Sequence, residues 1–85
     1  MIFISLNRFR GMATKENIER SNKVLASEPN VKVLAFYWTL GRYDSVLIVE
    51  APDEKTVIKM LTKVGDFAAT ETMVAVPREE AIKLL

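Results

Sequence analysis

The stretch Tyr37-Trp38-Thr39-Leu40-Gly41-Arg42-Tyr43-Asp44-Ser45-Val46-Leu47-Ile48-Val49-Glu50-Ala51-Pro52-Asp53 reads as a strand, a glycine turn, a returning strand and the start of a helix. Val31 to Leu40 is rich in β-branched and aromatic residues, which favour extended backbone. Gly41 offers the positive φ that a tight hairpin needs, and Tyr43 to Ala51 returns antiparallel. Asp53 follows as an N-cap for the next helix.

Working outward, Ile2, Ile4 and Leu6 alternate with Phe3, Ser5 and Asn7, the period of a strand with two different faces. Gly11 breaks that pattern. Thr14 caps a helix in which Ile18, Val24 and Leu25 fall at helical spacing, and the helix stops near Ser27 because Glu28 precedes Pro29 and is disfavoured in the α region. After Asp53, Val57, Ile58, Leu61 and Val64 line one face of a second helix, with Gly65 suited to its C-terminal end. Phe67 to Val76 forms the fourth strand, and Pro77 opens a short terminal helix. The order is βαββαβ with a helical tail: an α+β, ferredoxin-like plan with a four-stranded antiparallel sheet, expected as one unit over residues 1–85.

Composition narrows what such a unit can do. With 85 residues the domain buries only a modest core. Neither Cys nor His is present, so disulfides and soft metal sites are excluded and oligomerisation becomes the expected source of extra burial. No metal and no cofactor is expected. A net charge of +1 from 12 basic and 11 acidic side chains argues against nucleic acid or an anionic membrane as partner. Met1 to Leu6 is too short for a secretory or spanning segment, so a soluble, cytoplasmic protein is expected.

Two helices cover one side of four strands, which leaves the other side to be explained. The purely apolar set Ile2, Ile4 and Leu6 is expected against the helices, with Phe3, Ser5 and Asn7 on the open side. An unpaired carboxylate against the helices is costly, so Asp44, Val46, Ile48 and Glu50 are assigned to the open side and Tyr43, Ser45, Leu47, Val49 and Ala51 to the helices. Lys32, Leu34, Phe36 and Trp38, and Ala69, Glu71, Met73 and Ala75, are placed on the open side as well. That face is too apolar for water. A sheet-to-sheet homodimer, or a higher homo-oligomer, follows.

The element Gly41-Arg42-Tyr43-Asp44, with Tyr37 to Leu40 before it and Val49 to Asp53 and Thr70-Glu71-Thr72 after it, resembles the GYD-domain family of small stand-alone proteins. The resemblance spans about Asn17 to Glu80. It implies a dimeric α/β barrel fold and no assigned biochemistry. The same Gly-x-Tyr-Asp turn is similar to one in the effector-binding domains of leucine-responsive-type transcription regulators, where it lines an amino-acid site at a dimer interface. The resemblance implies that Gly41, Arg42, Tyr43 and Asp44 border a pocket, with Arg42 as a fork for a carboxylate and Asp44 as an acceptor for an ammonium; Trp38, Asn7 and Glu71 join Arg42, Tyr43 and Asp44 as the candidate ligand-binding residues. Structural roles compete at each position: Gly41 as a turn residue, Asp44 as an acceptor for backbone amides, Tyr43 and Trp38 as interface aromatics.

Three function classes are therefore open. The first is a homodimer that binds a small molecule at or near the sheet-to-sheet interface. The second is a cofactor-free, monooxygenase- or isomerase-like enzyme whose base would have to be Asp44, Glu50 or Glu71. The third is a purely structural or protein-interaction dimer.

Overall fold

The computed structural model describes residues 1–85, in the order β1 (Ile2–Phe9), α1 (Lys15–Ala26), β2 (Lys32–Trp38), β3 (Ser45–Glu50), α2 (Glu54–Thr62), β4 (Ala68–Ala75) and α3 (Arg78–Ile82). All strands pair antiparallel in one sheet of order β2-β3-β1-β4, so β2 and β4 are its edges. This is the ferredoxin-like plan. Thr14 caps α1 through its side chain to the Asn17 amide, and Asp53 caps α2 through the Thr56 amide. Gly41 takes φ 114° in the hairpin turn, whereas α2 ends without any left-handed residue at Gly65. Its last turn winds down through Lys63 N–H to Met60 O and Val64 N–H to Leu61 O instead.

The core lies between the sheet and α2: Phe3, Leu47, Val49 and Ala51 meet Val57 and Met60, with Val24, Leu25, Val31 and Leu61 packed around them. Met60 therefore takes the core place expected of Ile58, which is exposed. A helix turns positions i, i+3, i+4 and i+7 toward one side, and Val57, Met60, Leu61 and Val64 have that spacing, whereas Ile58 falls outside it.

The assignment of faces needs correction on two strands. Residues opposite each other in an antiparallel ladder share a face, and Phe3, Ser5 and Asn7 pair Val49, Leu47 and Ser45 on the helix side. Ile2, Ile4 and Leu6 thus look out from the open side, opposite Glu50, Ile48 and Val46 on β3 and Ala75, Met73 and Glu71 on β4. The more apolar set of β1 points away from the helices because the helix side accommodates Ser5 and Asn7 by hydrogen bonding them, while the open side offers them no such partners. On β2 a bulge between Val33 and Ala35 shifts the register. The extra residue reverses the alternation. Lys32 stays with Glu50 on the open side, but Phe36 and Trp38 pair Leu47 and Ser45 on the helix side, leaving Ala35 and Tyr37 with Ile48 and Val46.

The open face consequently carries Ile2, Ile4, Leu6, Ala35, Tyr37, Val46, Ile48, Met73 and Ala75, a more continuous apolar surface than alternation alone suggested. The tail from Arg78 to Leu85 is exposed throughout. The radius of gyration of 13.5 Å exceeds the roughly 12 Å of a compact chain this long, as expected when that tail stands away from the sheet. No helix is long and apolar enough to cross a membrane.

Candidate functional site

The six residues of the expected site do not converge. The sheet divides them. Asn7 and Trp38 stand on the helix side, where they line a cavity of about 80 Å³ between the two helices α1 and α2 and all four strands. Its other walls include Ile18, Val24, Leu25, Phe36, Leu47 and Met60, and no Asp, Glu, Lys or Arg side chain reaches it. Phe9 meets Trp38 edge to face with ring centroids 5.5 Å apart. Trp38 remains 62% exposed, which places it at the mouth rather than the floor.

Tyr43 and Glu71 meet beyond the end of β3: the Tyr43 hydroxyl donates to Glu71 Oε2 at 2.8 Å. Tyr43 thus reaches a residue of the open face, because β3 begins only at Ser45 and the turn suspends the strand alternation before it. The hydrogen bond to Glu71 raises the Tyr43 phenol above its ordinary value, since ionisation would break the bond and set two negative charges together. Arg42 is exposed at the turn.

Asp44 is committed to the backbone. Its Oδ2 accepts from the Phe9 amide at 2.7 Å, its own amide donates to Asn7 O at 2.8 Å, and its carbonyl accepts from the Thr39 amide at 2.8 Å. The side chain stands in for a ladder carbonyl where β3 has ended and β1 continues. Thr39 Oγ1 donates to Tyr43 O at 2.6 Å and closes the hairpin from within.

A polar ladder that crosses three strands reaches the cavity at Asn7 and Ser45. Thr72 on β4, Ser5 and Asn7 on β1 and Ser45 on β3 are joined by Ser5 Oγ to Thr72 Oγ1 at 2.8 Å, Ser5 Oγ to Asn7 Oδ1 at 3.1 Å and Asn7 Nδ2 to Ser45 Oγ at 3.0 Å. Sequence reasoning singled out Asn7 alone. The available signal was small polar residues at alternate positions, Ser5 with Asn7 and Thr70 with Thr72, which reads as one polar stripe once the register is known.

Charges hold the helix layer at its ends. The Arg20 guanidinium pairs with Asp66 and lies 4.8 Å from the centre of the Phe67 ring, joining α1 to the segment before β4. The hydrogen bond from Arg20 holds the Asp66 carboxyl below its ordinary value. At the other end, buried Glu28 lies 3.6 Å from both Lys59 of α2 and Lys63, the residue that caps its C-terminus. No group of Asp and Glu side chains is arranged to hold a metal ion.

The chain is similar to several known proteins. A Thermus thermophilus protein named as a glutamine synthetase and cystathionine beta-lyase binding protein is 35% identical over 72 residues, 82% of this chain and 76% of its own. The crystal structure of a hypothetical protein from Pyrococcus horikoshii is 26% identical, with a TM-score of 0.57 over 94% of this chain and 95% of that one. A dimeric ferredoxin-like protein of unknown function from Thermobifida fusca shares the fold at 17% identity, with a TM-score of 0.54 over 87% of this chain and 89% of that one. The family model described as the GYD domain matches residues 7–85, and the chain belongs to the GYD domain family.

Proposed function

We propose that the protein is a non-catalytic homodimer, joined through its open sheet faces, that binds partner enzymes through apolar surface left outside the dimer. The observation that carries this reading is the distribution of exposed apolar side chains. Val33, Leu34, Phe36, Trp38 and Leu40 are all exposed along edge strand β2 and its turn, and Leu40 is 102% exposed at the tip. Contiguous apolar surface of this kind on a small protein marks an interaction site, and aromatic anchors such as Trp38 dominate the energy of such interfaces. The polar groups a ligand or substrate would need in the Gly-x-Tyr-Asp element are engaged elsewhere, Asp44 with the Phe9 amide and Tyr43 with Glu71.

The name of the Thermus thermophilus relative supports a protein partner and suggests glutamine synthetase and cystathionine beta-lyase as the first enzymes to test. Mixing this protein with each enzyme from its own source and following the mass by light scattering is expected to give a complex with at least one of them. Leu40→Asp and Trp38→Ala should weaken that complex at least tenfold, as loss of apolar anchors does, while leaving the homodimer intact. Absence of a complex with either enzyme, or one indifferent to both substitutions, contradicts the reading. A small molecule at the sheet-to-sheet interface is the second reading. Its support is the position of Tyr43 and Glu71 at the rim of the open face, and a thermal-shift response to amino acids that Tyr43→Phe removes would favour it.

A further inference from the structure

The polar ladder beneath α1 and α2 has a direction. Asn7 Nδ2 lies 3.4 Å from the Ser5 carbonyl oxygen, which orients the amide, because its own oxygen could not face another acceptor there. Asn7 Oδ1 must therefore accept from the Ser5 hydroxyl, and Asn7 Nδ2 must donate to Ser45 Oγ. Ser5 has only one hydroxyl proton, so at the 2.8 Å contact it is Thr72 that donates to Ser5. The hydroxyl protons of Thr72 and Ser5 and one amide proton of Asn7 are thereby directed along the ladder toward Ser45, while the second Asn7 amide proton turns back to the Ser5 carbonyl. The Ser45 hydroxyl accepts at this end and has no acceptor in the chain for its own proton.

Ser45 is 2% exposed and lines the apolar cavity. An unmet donor buried in apolar surroundings is costly. We propose that this cavity is a binding site for a small uncharged molecule, or the uncharged end of a larger one, that presents a hydrogen-bond acceptor such as a carbonyl to the Ser45 hydroxyl. Three features set the ligand class. The polar lining consists of neutral groups, Asn7, Ser21, Ser45 and Thr70, so a charged ligand would lose its hydration without compensation. A volume of about 80 Å³ admits a body of a few carbon atoms, since an engineered cavity of about 150 Å³ holds benzene. Half-exposed Phe36 and Trp38 flank the mouth, where a longer molecule would leave along aromatic faces. This site lies on the opposite side of the sheet from the proposed dimer face and goes beyond the protein-binding reading, and either can fail without the other.

The test compares acetone, which carries the acceptor, with its isostere 2-methylpropane, which does not, by following backbone amide chemical shifts. Acetone is expected to shift Ser45, Leu47 and Ser21 saturably at millimolar concentration. Ser45→Ala should weaken the ketone about five- to tenfold, the worth of one neutral hydrogen bond, and leave 2-methylpropane unchanged. Val24→Phe, which fills the cavity from α1, should abolish both. A wild-type readout needs no variant to fold: the ketone must bind at least as tightly as the more hydrophobic hydrocarbon. Tighter binding of 2-methylpropane, absence of saturable shifts at the cavity, or a Ser45→Ala effect that is nil or equal for both probes overturns the proposal. A nil effect would mean that the Ser45 proton is met by water alone.

Discussion

Gly41 sits at φ 114°, a conformation that side chains with a Cβ adopt only under strain, although nothing lies within 4 Å of where that Cβ would be. Gly41→Ala is therefore expected to destabilise the fold by about 1–3 kcal/mol in urea denaturation, from backbone conformation and not from crowding. Asp44 completes the ladder of β1, and Asp44→Ala strands the Phe9 amide. A similar loss, about 1–3 kcal/mol, is expected, and Asp44→Asn should recover part of it because its amide oxygen can still accept. Acid sensitivity follows from two other aspartates. The Thr56 backbone amide holds Asp53 below its ordinary value, and the Arg20 guanidinium does the same for Asp66. A carboxyl whose folded value is depressed contributes stability that is fully present above its unfolded value, about 3.9, and lost as pH falls through the folded value. The urea midpoint should thus hold from pH 7 down to about 5 and fall below about 4. Asp53→Asn, which retains a capping side chain, should shed its part of that fall without unfolding α2. At this scale the sequence revealed the caps and the turn, whose chemistry is local. It did not reveal that Tyr43 meets Glu71 while Asn7 meets Ser45, because those meetings depend on strand register and on the turn that suspends alternation before Ser45.

Among the elements, α1 and α2 are held differently. Val57 and Met60 of α2 are buried in the core, whereas α1 buries no residue fully and covers the cavity with Ile18, Val24 and Leu25. Its attachments are concentrated at Arg20 and, just past its end, at Glu28. Elements with few buried apolar contacts open first, so the amides of α1 are expected to exchange with solvent faster than those of β1. Equal protection of the two would contradict this. Glu28→Gln should increase α1 exchange further by releasing Lys59 and Lys63. The order and type of all seven elements were legible from periodicity, capping residues and Pro77. The bulge between Val33 and Ala35 was not, since no Gly or other backbone signal marks it, and it alone sends Phe36 and Trp38 to the helix side. The faces of β1 were misread for a different reason. A sheet apolar on both sides has no polar set to mark the solvent, and the choice was decided by the hydrogen-bonded ladder of Ser5 and Asn7 rather than by hydrophobicity.

The whole molecule measures 45 × 30 × 17 Å, and its thickness is that of one sheet and one layer of helices. No layer of the chain therefore covers the other half of the sheet's side chains. On the open side Ile4 faces Ile48 and Met73 across neighbouring strands, with Leu6 and Val46 beside them and the charged Glu50 and Glu71 toward the ends. An apolar centre with a polar rim is the anatomy of a protein interface. A second copy of the same face is self-complementary under a two-fold axis, and it would supply the burial that an 85-residue chain lacks by itself. Sedimentation of the wild-type protein and of Ile48→Glu at micromolar concentration tests this most directly. The wild type is expected at twice the 9.6 kDa chain mass and Ile48→Glu at the single-chain mass with its helices retained; a wild-type protein that sediments as a single chain, or an Ile48→Glu variant that stays dimeric, would contradict an interface built from the open sheet face.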